Sequence, residues 1–238
     1  MNRFGIEATR TLNDFDRNES DVISKVMDYT CTSRERVYGV INSINYLVSN
    51  NIRGDIVECG VWRGGSMMAA MYTLLLRGDT SRSIFLFDTF DGMPPPSEKD
   101  IMHDGRKASA ILENTPKRQG RSDFWCWATR DDVEANVRVT GYPMDKVYFV
   151  EGRVEETIPG AAPEKIALLR LDTDWYESTK HELTHLYSRL VNHGVLIIDD
   201  YGYWQGAREA VDEFFSAQPF KPLFNRLDNS GRLLIKVS

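Results

Sequence analysis

Cysteine is scarce: Cys31, Cys59 and Cys126 are an odd number and form no C-x-x-C pair. Neither a disulfide framework nor a thiolate zinc site follows from them, so they read as thiols in a reducing compartment. Long apolar runs are also missing, and nothing approaches the roughly 20 residues a bilayer requires. Met1 to Thr11 carries Arg3, Glu7 and Arg10 and no apolar leader segment, so neither a membrane span nor secretion is expected. Blocks of like charge are absent too. The 29 Lys and Arg and 35 Asp and Glu interleave along the chain, for a formal net charge of −6. Nucleic acid and membrane surfaces are therefore not expected partners, and a cytoplasmic location is expected. No internal repeat or low-complexity tract appears.

What is present is an alternation of short apolar runs with amphipathic stretches in a chain of 238 residues, a length that suits one α/β domain. Strands are expected at Asp55 to Cys59, Ser83 to Phe87, Lys146 to Val150, Ile166 to Leu171, Val195 to Ile198 and Arg232 to Val237. Their continuous apolar character suits a sheet covered on both faces, with five or six parallel strands and a late addition. Helices are expected at Ser66 to Arg77, Arg130 to Val139, Ser178 to Leu190 and Ala207 to Ser216. This βαβ rhythm predicts a doubly wound, mostly parallel sheet. Residues 1–50 form a preamble, helical over 12–49, in which Val37, Val40, Ile41, Ile44 and Leu47 make one apolar stripe. Residues 91–127 form a long insertion, opening on Asp91-Gly92-Met93-Pro94-Pro95-Pro96 and closing on Phe124-Trp125-Cys126-Trp127. Stiff turns joined to aromatic surface suit a lid.

The stretch Glu58-Cys59-Gly60-Val61-Trp62-Arg63-Gly64-Gly65-Ser66 joins a strand to a helix through glycines, where open α/β sheets bind ligands. Trp62 stands where a dinucleotide fingerprint has its second glycine, which disfavours a pyrophosphate. An acidic residue two positions before the first glycine suits the cationic amino group of a methionine moiety, the pattern of class I methyltransferases. In Phe85-Leu86-Phe87-Asp88-Thr89-Phe90 an acid ends the next strand, as needed to accept bonds from ribose hydroxyls. Taken singly, Glu58 could be a solvated strand end and Asp88 a helix cap; together they favour a ligand. Gly152, in Glu151-Gly152-Arg153, fits a turn beneath an adenine ring or an ordinary turn.

Arg170-Leu171-Asp172-Thr173-Asp174 and Ile198-Asp199-Asp200-Tyr201 put two carboxylates at each of two strand ends, and adjacent parallel strands bring such ends to about 5 Å. Carboxylates so close need a compensating cation, and a hard ion such as Mg²⁺ takes oxygen ligands. Capping of the following loop by Asp199 and Asp200 is the bland alternative. His181-Glu182-Leu183-Thr184-His185 fits the letters of a zinc protease helix. It lies in a crossover helix whose buried stripe is Leu183, Leu186 and Leu190, and the zinc-protease fold is not a doubly wound sheet, which disfavours that chemistry.

Five blocks in order resemble the macrocin O-methyltransferase (TylF/MycF-like) family over most of the chain: Asp28 to Ser33 with Glu35-Arg36, Gly54 to Ser66, Phe87 to Pro94, Leu169 to Thr179, and Ile198 to Gly202. The resemblance implies a class I S-adenosylmethionine-dependent, Mg²⁺-dependent O-methyltransferase acting on a hydroxyl of a small molecule, in particular a sugar. It implies cofactor contacts at Thr30, Cys31, Glu58, Cys59, Gly60, Val61, Trp62, Gly64, Ser66, Asp88, Thr89, Gly92, Gly152, Arg153 and Asp172. It implies metal ligands at Asp172, Asp199 and Asp200, and a general base at Asp174. Catechol O-methyltransferase is similar in the glycine turn and metal-bearing strand ends. It carries a lysine base where this chain has Trp175, which leaves Asp174 as the base. The segment 97–127 does not match the family residue by residue, so the acceptor is open between a sugar and a phenol. A silent S-adenosylmethionine-binding protein is the alternative of another class, and a homo-oligomer is expected.

Overall fold

The structure is a computed structural model that describes residues 14–120 and 123–237; the readings for residues 1–13 and for positions 121 and 122 of the insertion lie outside the described residues. Helix α1 (Arg17–Val26) starts at Asp16, whose carboxylate and Glu19 close a reciprocal capping box. Ser33 caps α2 (Arg34–Ser49) by accepting the Arg36 N–H. The predicted stripe from Val37 to Leu47 is buried and packs on α3 (Gly65–Leu76).

Strands β1 (Asp55–Cys59), β2 (Ile84–Asp88), β3 (Val147–Glu151), β4 (Ile166–Leu171) and β5 (Leu190–Ile198) run parallel, and β7 (Arg232–Ile235) and the short β6 (Asn225–Arg226) add antiparallel. The spatial order is β3-β2-β1-β4-β5-β7-β6. Direction of progress reverses at β1 and β4, the switch point at whose carboxyl edge such sheets open a crevice. One face, with Ile56, Leu86, Leu168 and Ile197, packs on α1, α2, α3 and α5 (Arg130–Arg138). The other, with Val57, Phe87, Leu169 and Ile198, packs on α6 (Val154–Thr157), α7 (Tyr176–Leu186) and α8 (Gln205–Ala217). That is the expected doubly wound α/β architecture, with five parallel strands.

Several boundaries differ from expectation, β5 starting at Leu190, β7 ending at Ile235 and α8 running from Gln205 to Ala217, and those of α7 differ for a tertiary reason. Helix α7 begins at Tyr176 instead of Ser178 because Asp100, buried in the insertion, accepts the Tyr176 N–H at 2.8 Å. It ends at Leu186, and Leu190, predicted as the last member of its stripe, is instead the first residue of β5, paired with Ile166. The insertion contributes α4 (Ala108–Asn114) and a satellite core in which Met102, Ile111 and Leu112 meet Trp175 and Trp204. Among the described residues no helix is long and apolar enough to cross a membrane.

Gly60 shows why the first turn needs glycine. It has φ +81°, and a Cβ there would sit 1.9 Å from the Asp172 carbonyl oxygen. Gly60→Ala should therefore cost more than the roughly 1–3 kcal/mol of left-handed strain alone. Thermal unfolding should show a large fall in midpoint or no folded protein; an unchanged midpoint would show that β1 and β4 can separate freely here.

Candidate active site

The carboxyl ends of β1, β2, β4 and β5 open on one cavity of about 360 Å³, reached also by the loop before α2 and by the insertion. Of the residues singled out in the sequence, Thr30, Cys31, Gly60, Val61, Trp62, Ser66, Asp88, Thr89, Gly92, Gly152 and Arg153 line it. So do Asp172, Asp174, Asp199 and Asp200. Glu58 and Cys59, the last residues of β1, and Gly64, which precedes α3, do not.

Asp88 holds that turn. Its carboxylate accepts the N–H groups of Val61 at 2.6 Å, Trp62 at 3.1 Å and Phe90 at 2.8 Å. Burial raises its pKa even so, against those bonds. The Thr89 hydroxyl lies 3.5 Å from the Asp88 Oδ1 but donates more closely to the Gly92 carbonyl oxygen at 2.7 Å, so of about four acceptor positions one stays open, enough for a hydroxyl. The cavity also suits a polar organic ligand in what it leaves unmet. Thr32 Oγ1 and Trp62 Nε1 are buried on its wall without a hydrogen-bond partner among the described residues, an expensive state unless a ligand or solvent supplies one.

The acidic cluster is compensated in a way the sequence reading lacks. Across the β1–β4 ladder Glu58 faces Arg170, which is 1% exposed. Arg170 contacts Glu58 and Asp172 at 2.7 Å and Asp199 at 2.5 Å. A second guanidinium comes from α2: Arg36 pairs with Asp199 and, at 3.0 Å, with Asp228 in the turn between β6 and β7. Glu58 is thus tied to an internal cation, and burial, only partly offset by Arg170, pushes it up to about 7. The signal available in the sequence is Arg170 itself, since a charged residue inside a buried strand requires partners.

Two arginines do not balance Glu58, Asp172, Asp174, Asp199, Asp200 and Asp228. Burial pushes Asp172 well above the usual carboxylate range against the pull of Arg170, and burial reinforced by Asp174 and Asp199 does the same to Asp200. Oxygens of Asp172, Asp199 and Asp200 all lie within 4.8 Å of one another, and among the described residues this is the group that could hold a metal ion. Hard oxygen donors at that spacing, with uncompensated negative charge, fit Mg²⁺.

Asp174 stands beside them at φ +67°. Its N–H donates to Asp200 at 3.2 Å, and its Oδ1 accepts the indole N–H of Trp204 at 2.5 Å. Burial first, then Asp172, pushes it up to about 7, where a carboxylate is suited to taking a proton near neutral pH. Trp204, Tyr203, Phe124, Met93 and Trp175 add an apolar wall. Trp204 sits 30 residues from Asp174, and no local motif announces the contact.

The family model described as Macrocin-O-methyltransferase (TylF) matches residues 6–235. A Streptomyces olivaceus protein, 8-demethyl-8-(2,3-dimethoxy-alpha-L-rhamnosyl)-tetracenomycin-C 4'-O-methyltransferase, is 30% identical over 85% of this chain and 74% of its own. Mycinamicin III 3''-O-methyltransferase of Micromonospora griseorubida is 29% identical over 85% of this chain and 76% of its own. Among solved structures, the O-methyltransferase NovP superposes with a TM-score of 0.75 at 28% identity, covering 88% of this chain and 83% of that one.

Proposed function

Because the chain belongs to the macrocin O-methyltransferase family, we propose that it methylates a hydroxyl on a sugar unit of a small natural product, with Mg²⁺ as its metal. It is an S-adenosylmethionine-dependent O-methyltransferase. The observation that carries the finer reading is the meeting of the glycine turn with Asp172, Asp174, Asp199 and Asp200 on one cavity. The sugar is supported by relatives whose names specify a rhamnosyl group in one case and a mycinamicin position in another.

In this reading Thr30, Cys31, Gly60, Trp62 and Ser66 surround the methyl donor, with Asp88 toward its ribose. Asp172, Asp199 and Asp200 would hold Mg²⁺, which when bound acts as a Lewis acid that lowers the pKa of the acceptor hydroxyl. Asp174 takes the hydroxyl proton as the oxygen forms its bond to the methyl carbon. The carbon–sulfur bond of the sulfonium breaks, leaving S-adenosylhomocysteine. The Trp204 indole N–H steadies the Asp174 oxygen, and the aromatic wall limits the water that could compete for the methyl group. Residues 91–127 act as the lid over this acceptor side, and residues 1–238 form a single methyltransferase domain.

Chelation tests the metal directly. EDTA should lower turnover by about two orders of magnitude or more, with recovery on adding Mg²⁺; full turnover in chelator would remove the metal from the reading. Offering a deoxysugar glycoside beside a catechol decides the acceptor, and exclusive methylation of the catechol would overturn the sugar.

A further inference from the structure

The chemistry above makes no use of Glu182, the centre of the His181-Glu182-Leu183-Thr184-His185 stretch. The two histidines are half-buried on α7, their rings 4.3 Å apart, with His181 Nε2 3.0 Å from the Ile158 carbonyl oxygen. Glu182 points the other way and is 0% exposed. One of its oxygens accepts the Thr173 hydroxyl at 2.9 Å, and the other has no partner among the described residues. The Cys59 thiol, at the end of β1, lies against the same group. Burial pushes the pKa of Glu182 well above the usual carboxylate range.

Thr173 is the single residue between Asp172 and Asp174. Its carbonyl accepts the N–H of Trp175, the residue that precedes α7, at 2.7 Å, and the Ser178 hydroxyl of α7 lies 3.4 Å from that carbonyl and 3.1 Å from that of Trp175. Its side chain is held from below by Glu182. The next residue, Asp174, adopts a left-handed conformation that a non-glycine residue keeps only when its surroundings hold it. A buried acid that anchors the middle of this turn therefore controls where both flanking carboxylates point.

We propose that Glu182 is a positioning residue: by anchoring Thr173 from beneath the sheet edge, it sets the relative placement of Asp172 and Asp174 in the acidic cluster. The inference rests on the roles given to those two aspartates above. Glutamine has the same shape and offers the same carbonyl acceptor to Thr173, whereas leucine fills the site and offers none.

The test compares the full-length protein with Glu182→Gln, Glu182→Leu and Thr173→Val, reading Mn²⁺ affinity by electron paramagnetic resonance. Amide exchange of the peptide spanning residues 172–175 is read alongside. Glu182→Leu and Thr173→Val should each weaken Mn²⁺ binding at least tenfold and speed exchange of that peptide at least tenfold. Glu182→Gln should stay within twofold of the parent on both. Parent-like Mn²⁺ affinity and exchange in Glu182→Leu overturn the proposal, even if its melting temperature falls, because that pattern marks a purely structural group. Should Glu182→Leu fail to fold, Thr173→Val carries the same decision from the other partner. A parent protein that binds no Mn²⁺ defeats the metal reading by itself, and the exchange comparison then decides the role of Glu182 alone.

Discussion

Asp174→Asn should lower the turnover number by about 10²–10⁴-fold, the range for removing a general base, while S-adenosylhomocysteine affinity stays within a fewfold of the parent. Asparagine keeps the volume and an oxygen for the Trp204 indole N–H, which now reaches Asp174 Oδ1 at 2.5 Å. What it loses is the ability to accept a proton. The environment suits the proposed role: burial and Asp172 push Asp174 up to about 7, where accepting a proton is favourable and the charged form is still accessible. Steady-state turnover at saturating donor and acceptor, with calorimetry of product binding, checks it. Parent-like turnover in Asp174→Asn would mean that proton removal needs no side chain here, or another one.

Arg170→Met should destabilise the protein by about 3–5 kcal/mol, the usual cost of leaving buried charges without their partner. The side chain is 2% exposed and serves Glu58, Asp172 and Asp199 together, so its loss leaves Glu58 and Asp172 without their guanidinium and Asp199 with Arg36 alone. Methionine fills much of the volume, which makes the measurement one of charge more than of packing. Urea unfolding of the metal-free protein gives the number. A loss below about 1 kcal/mol would show that the carboxyl groups simply take up protons, as the elevated Asp172 and Glu58 already tend to do. Pairing the change with Glu58→Leu separates the two, since the double variant should recover part of the loss when the ion pair is the cause.

The particular elements show how far the chain could be read without its fold. Asp55–Cys59 and Ile166–Leu171 emerge with the predicted boundaries because strands covered on both faces are continuous apolar runs between polar turns. The limits of α7 do not, since its start depends on a cap from Asp100, 76 residues away, and its end on the pairing of Leu190 with Ile166. Within the site, residue types and order announce a glycine turn and four aspartates at strand ends. The counter-charges stay hidden, because Arg170 meets Glu58 only through the β1–β4 register, and Arg36 meets Asp199 only once α2 docks beside β5.

By itself, then, the sequence determined the alternation of buried strands and amphipathic helices, and which chemistry-bearing residues stand at strand ends, since both follow from local pattern and the direction of the chain. Tertiary structure alone decided which of those residues share a cavity, which retire into ion pairs behind it, and what pKa each acquires. Those outcomes depend on cross-strand register, on burial and on charges brought from distant segments, none of which is written at any one stretch of the chain.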